Sequence, residues 1–425
     1  MNMSGFMKKE GVKSVISSVL CILAGVLLGF IIMVLLALFN DRTSIGDAVK
    51  GLGILLAGPF SSGNAAYIVT NVGDMIFYST PLIMTGLSVA IAYKTGLFNI
   101  GAAGQFYMGT LAALMIALNA DTNGSPAMGF LVWLAALLTA MLAGMIWGAI
   151  PGFFKAVFNV NEVIVCIMTN WISANIVTWI FTNTPDLINR SAGKSGYLIT
   201  TAVTGNGTPK LGLDQVFKGS YIDMGILVAI ALAIVIYVIL TKTTFGYELR
   251  ACGSNKYGAR CAGMNEKRNI IVSMAIAGGL AAIGGALYYL NPGIELKFDT
   301  AYSQLPSYGF NGIPVALLGS NNPIAVIFVG IFIRFLSLGG DHLTSAGYNK
   351  YISDIIVALI IYFAGFSMFF KGFITKLARK KEKAAEEAAK AAVQKPSVEG
   401  EKTGAKADEA APEKALTEGK EAETK

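Results

Sequence analysis

The chain has 425 residues, 54% hydrophobic and 14% charged, whereas an average soluble domain is about 25% charged. Its last 45 residues hold 9 Lys and 11 Asp plus Glu, which leaves 24 Lys plus Arg and 15 acids for the first 380, a net +9 against −2 for the tail. A body this apolar lacks the polar surface to cover water-soluble domains, and its long charge-free runs point to an all-α polytopic membrane protein. The basic excess sits in short clusters between those runs, a pattern that orients spans; the expected partner is the lipid bilayer and not nucleic acid.

In chain order, residues 1–14 read as a short basic cytoplasmic N-terminus, followed by the charge-free run Val15 to Phe39. Its length exceeds the roughly 7 to 15 apolar residues of a signal-peptide core, so it reads as a retained span. Eight further apolar runs follow: Met75 to Ala92, Leu97 to Leu118, Met128 to Ile150, Val163 to Phe181, Met224 to Leu240, Ile270 to Leu290, Pro323 to Ile333 and Ile355 to Phe370. The connection 182–223, rich in Gly, Thr, Asn and Pro, falls on the outer face, either as a lid or docking element or as an ordinary loop.

The loop 242–269 carries Lys242, Arg250, Lys256, Arg260, Lys267 and Arg268 against Glu248 and Glu266, and Lys371 to Lys383 is also strongly basic. Both should lie in the cytoplasm. Three crossings must then follow Ile270 to Leu290, where only two long apolar runs remain, so Ala301 to Gly319 is expected to cross as a short or broken helix. Pro306, Gly309, Gly312 and Pro314 suit such a break. The expectation is a transmembrane domain over 15–370 with about ten helices, both termini cytoplasmic, and a charged, disordered cytoplasmic tail over 371–425, with a helical KEKAAEEAAKAA stretch directly after Lys380.

No ATP-hydrolysing motif is present: the nearest approach, Gly193-Lys194-Ser195, lacks the leading glycine because position 188 is Ile. If the chain moves solutes with ATP, another subunit binds the nucleotide. Four scattered cysteines and the single His342 give no metal site, disulfide framework or catalytic cluster, so no catalytic residue, metal or cofactor is assigned. Ion-coupled transport, a rival class, wants a protonatable or ion-coordinating group at mid-membrane, and the apolar runs contain almost none. Arg334, Asp341 and Asp354 flank the last two runs, where they either snorkel and cap or serve function.

Three segments carry more pattern than spans need. In Asn99 to Gln105, Gly101, Ala102, Ala103 and Gly104 allow close helix approach, while the amides of Asn99 and Gln105 offer donors and acceptors, either to a neutral hydroxylated or base-bearing solute or to neighbouring helices. Asn161 and Glu162 open a span: Glu162 either caps the helix dipole or faces a cavity. Asn170 and Trp171 lie two turns further on, where Trp171 either stacks on a ring or packs against helices. The loop after Lys242 is punctuated by Gly246, Gly253, Gly258 and Gly263, with Ala251, Ala259 and Ala262 keeping its faces small and Glu248, Arg250 and Arg260 available for orienting ion pairs.

The run Thr243, Gly246, Leu249, Arg250, Ala251, Gly253, Asn255, Ala259, Arg260 and Gly263 resembles the cytoplasmic coupling loop of ATP-binding-cassette importer permeases of the branched-chain-amino-acid, ribose and simple-sugar superfamily. Gly96 to Gly109 and Asn161-Glu162-Val163 with Asn170-Trp171 are similar to its nucleoside and simple-sugar branch. The resemblance, over roughly Ser79 to Phe370, implies a non-catalytic plasma-membrane permease subunit forming half of a pathway for a neutral solute, nucleosides first and simple sugars second. It implies three partners: a cytoplasmic ATPase gripping Gly246, Glu248, Arg250, Ala251, Gly253, Asn255, Ala259, Arg260 and Gly263, a second homologous permease forming a heterodimer, and an extracytoplasmic substrate-binding lipoprotein. Asn99, Gln105, Asn161, Glu162, Asn170 and Trp171 are the candidate pathway residues.

Overall fold

The computed structural model describes residues 10–39, 43–122, 125–187, 205–297, 304–349 and 351–366, with six further positions between 369 and 376. The expected tail beyond these, the first nine residues and the middle of the 182–223 connection lie outside the described residues.

The main helices are α1 (Glu10–Phe39), α2 (Ile45–Ala57), α3 (Ala65–Lys94), α4 (Ala102–Asn119), α5 (Pro126–Phe158), α6 (Glu162–Thr182), α7 (Gly225–Lys242), α8 (Thr244–Ser254), α9 (Lys256–Cys261), α10 (Glu266–Tyr289), α11 (Ser307–Leu318), α12 (Pro323–Asp341) and α13 (Tyr351–Gly365). Among the described residues eight of them, α1, α3 to α7, α10 and α12, are long and apolar enough to cross a membrane, while α13 offers the shorter apolar stretch Tyr351–Ile360. α2 has no counterpart among the apolar runs because Asp47 and Lys50 interrupt it; a capping box starts it, with Ser44 Oγ accepting from Asp47 N and Ser44 N donating to Asp47 Oδ2.

α3, α4 and α10 are mostly buried within the chain. α10 runs along α5 on a seam of small residues: a side-chain carbon on Gly278 would meet the Gly144 carbonyl, and one on Gly148 would meet the Met274 carbonyl. Such close backbone approach drives association where lipid removes the hydrophobic gain of helix contact. At one end of this core lie Lys94, Lys155 and the starts of α6 and α10. At the other, Asn206 Nδ2 donates to the carbonyls of Ala117 and Ala120, and Thr208 N to that of Leu290.

A second cluster gathers α1, α2, α12 and α13 around Met33, Leu55, Leu336, Ile352 and Ile356. α1 and α13 are antiparallel, with Gly25 against Ile360, Gly29 against Ile356, and Tyr348 Oη donating to Met33 O at 3.0 Å.

The segment expected to be short or broken forms α11, a 12-residue helix entered from non-helical backbone at residues 304–306. Tyr107 Oη satisfies the Gln304 carbonyl at 2.8 Å, and Gly309 and Gly312 let α11 press against Ala103 and Thr85. Its far end accepts a hydrogen bond from Ser18 Oγ at Leu318 O, 2.7 Å. Ser320 and Asn321, both with positive φ, then reverse the chain into α12.

Candidate functional site

The turn between α3 and α4 folds back along α3 before α4 begins. Asn99 reaches Ser88 Oγ through Nδ2 at 2.9 Å and pairs reciprocally with Gln105, Nδ2 to Oε1 at 2.8 Å and Nε2 to Oδ1 at 3.1 Å. From α6, Asn170 Nδ2 donates to the Ile100 carbonyl at 3.0 Å while its Oδ1 accepts from Gly104 N at 2.8 Å. All three amides are essentially without solvent exposure. Gly101 and Gly104 are small because Cys166, Asn170 and Ser173 occupy the space a side chain would need. Asn99, Gln105 and Asn170, far apart in sequence, thus form one closed amide knot.

Asn161 and Glu162 lie apart from it at the start of α6. Asn161 Oδ1 caps the helix at Val163 N, 2.9 Å, and Glu162 pairs with Lys155 at 2.9 Å, both charged side chains being largely buried.

Trp171 sits on the opposite face of α6 from Ser173 and is 43% exposed. It lines a cleft of about 470 Å³ with Ile167, Asn170, Gln304, Leu305 and Phe310. A neighbouring groove runs along α6 over Met168, Ile172, Asn175, Ile176 and Trp179. Gln304 and Asn175 are exposed here, and Asn175 keeps Nδ2 on its own helix at Trp171 O, 2.8 Å. An exposed amide two-thirds of the way along an apolar helix is costly against lipid, so this face is suited to protein or water. Gln304 and Phe310 are not marked by the sequence pattern because their alignment with α6 depends on the irregular backbone before α11.

In the loop after Lys242, the residues singled out by pattern mostly build the loop. Thr243 Oγ1 caps α8 at Gly246 N and Asn255 Oδ1 caps α9 at Gly258 N. Gly246 packs on the Ile239 carbonyl, Gly253 on the Lys94 carbonyl, Ala259 is buried, and Gly263 ends α9 with φ +80°. Glu248 accepts from Asn269 Nδ2 at 3.1 Å, and Arg260 pairs with Glu266 at 3.2 Å. Arg250, half-folded on its own helix through Nε to Gly246 O, remains exposed, and Ala251 lies at intermediate depth. The large outward groups are Tyr247, 59% exposed, and Tyr257, 80% exposed; tyrosines between glycines in a basic loop are the signal that marks them.

At the opposite end, Asp223 accepts from Asn291 Nδ2 at 2.6 Å and from Gly225 N at 2.8 Å. Burial pushes its carboxyl up to about 7 despite those donors and the charge of Lys210. Arg334 lies inside α12 with its guanidinium 4.7 Å from the centre of the Tyr78 ring and 3.6 Å from Asp341, and His342 Nε2 lies 3.2 Å from Asn71 Nδ2. Among the described residues no group of three or more His, Cys, Asp or Glu side chains converges as a metal site would require.

The family described as branched-chain amino acid transport system / permease component matches residues 71–365. The guanosine ABC transporter permease protein NupP of Bacillus subtilis is 35% identical over 310 residues, covering 73% of this chain and 85% of that protein. The glucose ABC transporter permease protein TsgB13 of Haloferax volcanii is 32% identical, covering 71% and 77%, and the nucleoside ABC transporter permease protein NupB of Lactococcus lactis is 32% identical, covering 69% and 78%. No solved structure matches the chain. A family match over most of the chain, on a set of helices long and apolar enough to span, means that the chain belongs to this permease family: a multi-pass, non-catalytic membrane component of an ATP-binding-cassette importer, whose ATP is hydrolysed by a separate subunit.

Proposed function

We propose that the chain forms half of the transmembrane pathway of a nucleoside importer. The observation that carries this reading is the cleft between α6 and the start of α11, which combines two aromatic rings, Trp171 and Phe310, with the exposed amide of Gln304, has the buried Asn170 in its wall and carries no charged group in its lining. A nucleoside is neutral, has a flat base that stacks on an indole, and carries donors and acceptors on its edge and ribose that match primary amides. The guanosine and nucleoside permeases among the relatives support the same cargo.

The partners follow from the family. An ATPase subunit docks on 242–269, an extracytoplasmic lipoprotein delivers the cargo, and a second, related permease closes the exposed face of α6 along Trp171, Asn175 and Trp179. The chains named NupP and NupQ in B. subtilis, and NupB and NupC in L. lactis, all match this sequence, which favours a heterodimer. In this reading the chain crosses ten times, counting α11 with its irregular entry and α13, with residues 1–14 and 371–425 in the cytoplasm beside the 242–269 loop and 182–223 outside; the antiparallel contact of α1 with α13 supports termini on one side.

The test is uptake by proteoliposomes holding the permease pair, the ATPase and the loaded receptor. Accumulation of labelled guanosine or adenosine that unlabelled glucose does not suppress is expected. Glucose uptake that nucleosides leave unchanged would instead establish the sugar reading, which the Haloferax relative favours. Gradient-driven uptake by this chain alone, without the ATPase, would overturn both.

A further inference from the structure

The amide knot has contacts on two sides that matter for transport. On one side it meets the loop read above as the ATPase seat. A side-chain carbon on Gly253 would collide with the Lys94 carbonyl oxygen and come within 2.9 Å of Gly96 N, so α8 rests directly on the backbone of the α3–α4 turn. The same end is tied laterally: Thr95 Oγ1 lies 2.8 Å from Ser273 Oγ on α10, and Asn269 holds Glu248 and Cys252 of α8. On its other side the knot ends in Asn170, which borders the cleft beside Trp171.

We infer that Asn99 and Gln105 are positioning residues that, through Asn170, carry a displacement of the coupling loop to the cleft wall. This inference rests on the reading of 242–269 as the ATPase seat. The turn 95–101 is irregular, with Gly96 at φ +75°, so it has no helical hydrogen-bond ladder to carry a push upward into α4. The Asn99–Gln105 pair supplies the missing stiffness by bridging the turn to α4, while Asn99 Nδ2 anchors it on Ser88 of α3. Asn170 then grips both ends of the 100–104 segment, donating to Ile100 and accepting from Gly104. α6 cannot slide along that segment without breaking both bonds, and breaking either strands a buried polar group at a cost comparable to a whole hydrogen bond. A primary amide provides a donor and an acceptor at once in the same plane, without any change of charge. Simple packing glue would need neither the seat at Gly253 nor the ending beside Trp171; together they make a contiguous two-ended linkage of the kind that transmits a two-state motion.

The experiment uses the assembled transporter in proteoliposomes with three variants, Asn99→Gln, Gln105→Asn and the double swap. Each single change alters the length of one amide arm, whereas the swap restores the combined span and both hydrogen-bonding groups. Four quantities are read: ATPase co-purified per permease, basal ATP hydrolysis, its stimulation by loaded receptor, and nucleoside taken up. The single variants should keep the ATPase bound and basal hydrolysis within about twofold, while stimulation and uptake fall about tenfold, a size typical of lost inter-site coupling. The double swap should recover most of that loss. Trp133→Phe, which removes the buried Nε1 bond to Thr208 at the far end of the core, controls for general destabilisation and should leave uptake per assembled complex unchanged.

Uptake and stimulation within about twofold in the single variants would overturn the inference, as would losses that only track lost assembly or that the swap fails to recover. Failure of the unaltered chain to retain the ATPase would instead remove the reading of the coupling loop.

Discussion

The seam between α5 and α10 and the outward face of α6 treat side-chain size in opposite ways. Along the seam, Gly144, Gly148, Gly278 and Ala282 bring two backbones into contact, and both helices are committed to each other. On α6, Ile167, Met168, Trp171, Ile172 and Trp179 stand exposed, and an amide at Asn175 stands among them. Small residues mark a contact already made within the chain; large aromatic and amide groups left uncovered mark a contact the chain keeps for cargo or partner. The sharpest way to break the first is Gly278→Leu, whose side chain would drive into the Gly144 backbone. With no flexible neighbour to give way, the cost should exceed about 3 kcal/mol, seen as loss of a monodisperse folded peak in detergent. For the second, Trp171→Ala should leave that peak and ATPase binding intact while lowering nucleoside uptake about 5- to 150-fold, the value of one lost ring-stacking contact of about 1–3 kcal/mol.

The loop after Lys242 offers the same contrast on a smaller scale. Gly246, Gly253 and Ala259 face the bundle, while Tyr247 and Tyr257 face away. Tyr257→Ala should therefore reduce ATPase co-purification about tenfold with no change in melting temperature, as loss of an exposed aromatic anchor does. Bulky changes at Gly253 should lower the melting temperature as well, because that position seats on the α3–α4 turn. Equal losses of stability at both positions would erase the distinction.

The long helices were legible because a span must be about twenty residues free of charge. The irregular entry to α11 was legible in Pro306, which stands just before the helix, whereas Gly309, Gly312 and Pro314, which also suit a break, lie inside a continuous helix. Limits appeared where a side chain's cost is cancelled by a distant partner. The charge-free run from Pro323 stops at Ile333, yet α12 continues to Asp341 because the Tyr78 ring and Asp341 accommodate Arg334. In the same way the sequence singles out Asn99, Gln105 and Asn170 but not their mutual pairing, which needs a turn folded back by seven residues and a helix arriving from position 162. The cleft was half legible: Trp171 lies in a recognisable motif, whereas Gln304 and Phe310 reach it only through irregular backbone.

The smallest predicted effect probes the committed side of the comparison at its other end, where Asp223, Asn291 and Tyr221 tie the start of α7 to the end of α10. Burial holds the Asp223 carboxyl up at about 7, above its ordinary 3.8. The folded chain therefore binds a proton that the unfolded chain has released, and the associated stabilisation is complete below about pH 4 and is lost as pH rises through 7. Between pH 6 and 8 the folded-state titration alone should cost roughly 1 kcal/mol, or a few degrees in melting temperature. Asp223→Asn should start lower at pH 6, because its amide nitrogen opposes one of the donors from Asn291 and Gly225, and should show little slope. The two melting curves should thus converge toward pH 8. A native protein whose melting temperature holds or rises over this interval would mean that Asp223 is ionised in the fold, with Asn291 and Gly225 outweighing burial.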